Sequence, residues 1–270
     1  NYFILDNKLN VDFIASHGHT IFHQPNKGYT LQIGNGQSMA NECKQTVICD
    51  FRSLDVRLGG QGAPLVPIGD QLLFGKYTNC LNLGGFSNIS YEKEGVRKSY
   101  DICPVNIVLN KLAQKLGYNY DQDGEIARSG EIIHSLLREL NALEYYQKKE
   151  PKSLGKEWVY NYINPLLQKH QNIHDISHTF TEHTALQIGK KLKKGISLIT
   201  GGGVFNTYLM ERIKYYANSE LCIPHKELIN YKEALIFAFL GILRYRNETN
   251  CLSSVTGAKR DCSGGVIFTP

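Results

Sequence analysis

The chain has 270 residues, 42% of them hydrophobic and 20% charged, with a formal net charge of +5. That is enough for one large domain or two ordinary ones around a real apolar core. The scattered Lys and Arg exclude a nucleic-acid footprint, and the lack of any run of about 18 apolar residues excludes a membrane-spanning helix. Seven cysteines, an odd count with no CxxC pair, argue against a disulfide framework or a zinc knuckle and fit free thiols in a reducing cytoplasm.

Residues 1–6 have no basic region followed by an apolar one, so they are no signal peptide. They read as the end of a helix or a loop, as if cut from a longer chain. Residues 11–15 form a short apolar run, read as a buried strand, and lead into a polar loop, Ser16-His17-Gly18-His19-Thr20. Residues 29–33 and 46–49 also read as strands. The glycine-rich loop Leu58-Gly59-Gly60-Gln61-Gly62-Ala63-Pro64 follows, and Pro64 and Pro67 mark a boundary or hinge, dividing the chain into 1–66 and 67–270. Residues 79–83 are a strand that turns through Gly84-Gly85 and continues over 87–91, a β-hairpin with a glycine turn. A third extended segment ends at Asp101. From Pro104 the spacing of Val105, Val108, Leu109, Leu112 and Leu116 predicts a helix, with Pro well placed at its start.

Residues 130–195 read as largely helical, with Leu136, Leu137, Leu140 and Leu143 on one face and a second helix over 176–192. Residues 197–200 form a buried strand running into Gly201-Gly202-Gly203. Helices follow from about Asn206 to Tyr216 and over 231–246. Strands, hairpin, helices, then strand–glycine–helix make an α/β chain of two domains with a cleft between them.

Three motifs carry chemistry. In Leu83-Gly84-Gly85-Phe86-Ser87-Asn88, two glycines at a turn let backbone N–H groups approach a phosphate closely, with Asn88 as a short polar neighbour; the competing reading is an ordinary hairpin turn. Thr200-Gly201-Gly202-Gly203-Val204-Phe205-Asn206 places glycines between a strand and a helix, where a nucleotide can lie on the backbone. It is neither a GxGxxG fingerprint nor a Walker loop, and a tight strand–helix connection fits it equally. Asp101, at a strand end before Pro104 and Asn106, can serve as a general base or as a turn residue. Arg52 and Asp55 beside Gln61 can grip a polar substrate or form a surface ion pair. His17, His19 and His23, and His170, His174 and His178, invite a metal reading, which the absence of HExxH discounts; no metal ligand is assigned.

Taken in order, the motifs resemble those of the anhydro-N-acetylmuramic acid kinases. Ser16-His17-Gly18-His19-Thr20 is similar to SHGQT, and Thr30-Leu31-Gln32-Ile33-Gly34 to TxQIG. Asp50-Phe51-Arg52 with Gly59-Gly60-Gln61-Gly62-Ala63-Pro64-Leu65 resembles DFR…GGQGAPLVP. Residues 81–90 resemble LNIGGFSNVS, Pro151-Lys152-Ser153-Leu154-Gly155-Lys156-Glu157 resembles PKSTGRE, Gly201 to Asn206 resembles GGGAFN, and Ser254-Val255-Thr256-Gly257-Ala258 resembles DVTGA. The match runs from about residue 12 to the end.

The resemblance implies a two-lobed fold of the actin, Hsp70 and hexokinase type with ribonuclease H-like lobes. Residues 1–66 would be the remainder of the first lobe and 67–270 the second, with ATP and Mg²⁺ between them. It implies hydrolytic opening of 1,6-anhydro-N-acetylmuramic acid and phosphorylation of O6, in peptidoglycan turnover in the cytoplasm. The implied partner is this small amino sugar, with no nucleic acid or membrane; a homodimer stays open. By the same resemblance Asp101 is the catalytic base. Glu233, and with it Arg52, Asp55 and Gln61, bind the sugar. Gly84, Gly85, Asn88, Asn106, Gly201, Gly202, Gly203 and Asn206 bind ATP.

Two departures qualify this. The family's DTGPGN appears as Asp101-Ile102-Cys103-Pro104-Val105-Asn106, with both glycines replaced. The family's opening GTSxDGxD turn, which grips the ATP phosphates, has no counterpart in these residues. The first lobe is therefore expected to be incomplete at its N-terminus and this polypeptide to bind ATP weakly. The alternative function is a catalytically silent actin-like nucleotide- or sugar-binding protein; a metal-dependent sugar hydrolase using the histidines is the third reading.

Overall fold

The computed structural model describes residues 2–270; Asn1 lies outside them, and Tyr2–Asp6 is a short helix. The chain forms two compact units. Among the described residues the first comprises 2–74, Lys93–Lys98 and Tyr231–Pro270, and the second Gly75–Glu92 and Ser99–Asn230. The sequence division at 66–67 falls inside the first unit.

In the first unit a three-stranded sheet has the order β1 (Ile14–Ala15), β4 (Val47–Cys49), β10 (Val266–Phe268), with β1 parallel and β10 antiparallel to the central strand. Val47 and Ile48 are fully buried, as a central strand requires. The helix Gly36–Cys43 covers this sheet through Ala40 and is capped by Asn35, whose side chain accepts from the Ser38 N–H at 2.8 Å. A separate antiparallel ribbon joins β2 (His19–Gln24) to β3 (Tyr29–Ile33). This corrects the polar-loop reading of 16–20: His19 and Thr20 are strand residues. Every residue of β2 is exposed, so no buried-face alternation marks it in the sequence.

In the second unit a five-stranded sheet runs β7 (Val96–Pro104), β6 (Phe86–Lys93), β5 (Asn79–Leu83), β8 (Ile196–Thr200), β9 (Glu220–Cys222). The tip of the β6–β7 hairpin belongs to the first unit. β5 and β8 are parallel, as are β8 and β9, while β5 and β6 are antiparallel. Parallel strands covered on both faces need continuous apolar sequence, and Leu81, Leu83, Leu198 and Ile199 are fully buried. Each such side chain stabilises the fold by about 1.5–3 kcal/mol. The helix Ile173–Gly189 adds Ile176, Phe180 and Ile188 to the same core.

Three sequence expectations shift here. The strand β7 continues through Pro104, and the helix starts at Asn106, running to Gln114. Proline's fixed φ suits a strand end as well as a first helical turn, and the buried Ile102, Cys103 and Pro104 complete the strand. Within 130–195, residues 148–155 carry no helix, and Pro151 lies in the middle of them. The last long helix begins earlier than expected, at Lys226, and ends at Tyr245. The overall class is mixed α/β, and no helix among the described residues is long and apolar enough to cross a membrane.

Candidate active site

The expected site residues fall into two groups, one in each unit. In the second unit the parallel strands β5 and β8 end side by side, and their C-terminal turns hold the two glycine motifs. The Val105 and Ile107 N–H groups donate to the Gly85 carbonyl at 2.8 and 3.2 Å, and the Asn106 N–H donates to Gly84 at 3.3 Å. The start of the helix Asn106–Gln114 is thereby laced to the hairpin turn. Gly201 has φ +86°, and a Cβ there would sit 2.6 Å from Asn82 Oδ1 and 2.8 Å from the Leu83 carbonyl. A Cβ on Gly203 would approach Leu83 Cβ to 2.8 Å. The two loops are packed backbone against backbone, which only glycine permits.

Gly85 and Gly202 are exposed at this strand end, with nothing within 4 Å of an added Cβ on Gly202 and only Ile107 at 3.8 Å for Gly85. Such open backbone at the C-terminal ends of parallel strands, beside a helix N-terminus, fits a phosphate-bearing ligand. Asn88 lies opposite Asn82 across the hairpin. Asn206 faces inward: its Oδ1 accepts the Leu209 N–H at 2.8 Å and caps the helix Thr207–Tyr216. A Gly201→Ala variant is expected to lose both stability and nucleotide affinity, since the strained φ and the backbone clash add. Thermal melting with and without nucleotide checks this, and an unchanged melting curve refutes it.

Asp101 sits on β7 and is held by residues of the Pro151–Glu157 motif. Leu154 N–H donates to Asp101 Oδ2 at 2.8 Å, and the Asp101 N–H donates to the Lys152 carbonyl at 3.2 Å. The Tyr145 hydroxyl donates to the Asp101 carbonyl at 2.6 Å. Burial pushes the Asp101 carboxyl above its ordinary value, and the Leu154 N–H works against that rise. Lys152, pulled down by burial, lies over the Tyr145 ring at 4.4 Å and donates to the Tyr145 carbonyl at 3.0 Å. A cavity of about 320 Å³ shares this clasp, walled by Tyr145, Lys148, Lys152, Ser153, Trp158 and Tyr162. Pro151-Lys152-Ser153-Leu154 is visible in the sequence as a motif, but its clasp on Asp101, 53 positions away, has no local signal there.

In the first unit Arg52 is the hub. Its Nη1 donates to the Gly62 carbonyl at 2.6 Å and its Nη2 lies 2.7 Å from His17 Nε2. His17 Nδ1 lies 2.9 Å from the Gly18 carbonyl, which needs a donor. The ring is therefore neutral, protonated on Nδ1, and accepts from Arg52 through Nε2. Burial and then the Arg52 charge lower the His17 pKa, consistent with that state. Burial also lowers Arg52, while the Glu233 charge raises it. Glu233 and Gln61 are exposed, and the Gln61 N–H donates to the Thr256 carbonyl at 2.9 Å.

Asp55 is fully buried. Its Oδ2 accepts the Gly62 N–H at 2.7 Å, and its Oδ1 accepts the Thr256 hydroxyl at 2.7 Å and the Cys251 thiol at 3.2 Å. It stands behind the 59–62 loop and joins it to the Ser254-Val255-Thr256 segment. Of the six histidines considered for metal binding, four have side-chain partners: His17 pairs with Arg52, His23 with Thr30, His174 with Ser129, and His178 with the Ala127 carbonyl.

The family model for anhydro-N-acetylmuramic acid kinase matches residues 5–270. The chain belongs to the anhydro-N-acetylmuramic acid kinase family. It is 37% identical to the enzyme of that name from Aliivibrio fischeri, over 94% of this chain and 74% of that protein. It is 33% identical to the one from Sulfurimonas denitrificans, over 98% and 79%. Among solved structures, the activator of the 2-hydroxyisocaproyl-CoA dehydratase from Clostridium difficile, with bound ADPNP, matches with TM-score 0.39 and 13% identity over 66% of this chain and 65% of that one. That likeness is too slight to bear on the fold.

Proposed function

We propose that this protein opens 1,6-anhydro-N-acetylmuramic acid with water and phosphorylates the freed O6 from ATP. Membership of the kinase family supports the reaction class. The observation that carries the mechanism is the Asp101 carboxylate, half-buried, raised in proton affinity and oriented by a single backbone donor. One Asp101 oxygen is fixed by Leu154, and the carboxylate accepts the proton of the attacking water as that water bonds to C1 and the C1–O6 bond breaks. The oxygen released at C6 then attacks the γ-phosphorus in line, and the bond to the ADP oxygen breaks.

Gly84, Gly85 and Asn106 form the proposed seat for the phosphates, with Asn88 alongside, and Gly201, Gly202 and Gly203 the seat for the nucleoside. Asn206 supports the latter as a helix cap. Mg²⁺ enters as the nucleotide's own complex. Arg52, Gln61 and Glu233 are assigned to the sugar, whose hydroxyls, amide and carboxylate need both donors and acceptors. Asp55 acts through the loop it holds. Two ribonuclease H-like lobes of the actin type and a cytoplasmic site of action belong to the same proposal.

An Arg52→Ala variant is expected to raise KM for the sugar by about 10- to 100-fold, with a smaller effect on kcat, as the loss of a charge-assisted contact predicts. An unchanged KM removes Arg52 from the sugar site. The reaction itself is tested by incubating the full-length protein with the anhydro sugar, ATP and Mg²⁺ and following ADP release. Release that depends on the sugar supports the proposal, and nucleotide binding without sugar-dependent ADP favours the silent binder.

A further inference from the structure

The buried group around Asp55 holds chemistry that the kinase reaction does not use. Cys251 and Cys262 face one another across an isolated antiparallel bridge, each N–H donating to the other's carbonyl at 3.1 Å. A pair bonded this way has its Cα atoms about 5.5 Å apart, inside the span of roughly 4.4–6.8 Å that a disulfide bridges. The two sulfurs and an Asp55 carboxylate oxygen all lie within 4.8 Å of one another. Both thiols are free. The Cys251 thiol donates to Asp55 Oδ1, one of three donors that hold this carboxylate in a site with no solvent access.

We propose that Cys251 and Cys262 form a reversible disulfide on exposure to a hydroperoxide, and that the bond loosens the Asp55 clasp on the 59–62 loop. Both thiols are buried, Cys251 at 2% exposure and Cys262 at 5%, and Cys262 is the first to react because the exposed Arg260 and Asp261 flank it, so local opening of that segment uncovers it first. Its thiolate takes the terminal oxygen of the peroxide as the O–O bond breaks, giving a sulfenic acid and an alcohol or water. The Cys251 sulfur then attacks the Cys262 sulfur. The S–O bond breaks, and the oxygen leaves as water with the Cys251 proton. In sum two thiols are oxidised and one peroxide is reduced.

Once bonded, Cys251 has no proton to give to Asp55. The carboxylate keeps only Gly62 and Thr256, and a buried charge that loses a donor is less well held. Gly62 is the loop residue whose carbonyl receives Arg52, so the effect reaches the group assigned to the sugar. That last step rests on the proposed function; the disulfide and the loop response do not. A metal cage of the same three groups is the weaker reading, because three ligands are one short of a structural zinc site and Asp55 is already engaged.

The test treats the full-length protein with hydrogen peroxide, maps cross-linked peptides by mass spectrometry and measures hydrogen exchange in a peptide spanning 59–64. The expected result is a 251–262 cross-link that a dithiol reverses, with exchange several-fold faster in the oxidised protein. Cys262→Ala keeps the Cys251 donor and is expected to show neither change. Cys251→Ser keeps a hydroxyl donor to Asp55 and is expected to behave the same way. Thiols that stay free or go to sulfinic acid without cross-linking overturn the proposal. So does a cross-link that leaves the exchange unchanged, or zinc that blocks both thiols until it is chelated. None of these readouts needs turnover, so a failed kinase assay leaves them standing.

Discussion

Replacing Asp101 by asparagine is expected to lower kcat by about 10²- to 10⁴-fold, the usual contribution of a positioned general base. The amide keeps an oxygen to accept the Leu154 N–H, so the strand and its clasp should persist, but it cannot take the water's proton. Denaturant unfolding within about 1 kcal/mol of the parent would show that the loss is chemical and not structural. The pH dependence gives a second check. Asp101 is raised above its ordinary 3.8, and a base works only when deprotonated. The acid limb of kcat/KM therefore lies above 3.8, with activity falling as the pH drops through it. A variant that keeps near-parental kcat, or a rate that is flat down to the ordinary carboxylate range, rejects Asp101 as the base.

Replacing Asp55 by alanine is expected to cost about 2–6 kcal/mol of stability, since it leaves a buried N–H and a buried hydroxyl without an acceptor at about 1–3 kcal/mol each. The Gly62 N–H and the Thr256 hydroxyl lose their acceptor, and the Cys251 thiol loses its own. Asparagine is no rescue, since its NH₂ group would face one of these donors. A urea titration measures the loss as a shift in midpoint at constant slope. A loss below about 1 kcal/mol would mean that the loop is held by its other contacts, chiefly the Gln61 N–H to the Thr256 carbonyl, and that the clasp is minor.

The legible parts of the fold are those with a local cause. Residues 29–33 and 79–83 appear in the structure with the bounds read from the sequence, because each run of mixed apolar and polar residues stops at a glycine, Gly34 or Gly84. The strand β8 and its three glycines are visible for the same reason. The sequence at 16–20 looks like a polar loop because β2 buries nothing on either face, so the pattern that identifies a strand is absent. The helix start was misplaced because Pro104 suits both roles locally, and pairing in the sheet, a non-local fact, decides between them. The same holds for the site. Glycines, Asp101 and Arg52 announce themselves by type and motif. What orients them does not: Thr256 reaches Asp55 across 201 positions, and Leu154 reaches Asp101 across 53. No spacing rule spans such distances.

The most direct test of the central claim, that Asp101-activated water opens the ring as O6 is phosphorylated, is to run the reaction in water enriched in ¹⁸O and weigh the sugar product. The account predicts a product heavier than the anhydro sugar by one water and one phosphoryl group, with the heavy oxygen on C1 and none in the phosphate, and no such product from Asp101→Asn. Heavy oxygen in released phosphate with the anhydro sugar unchanged would contradict it, because water would then be attacking the nucleotide and not the ring.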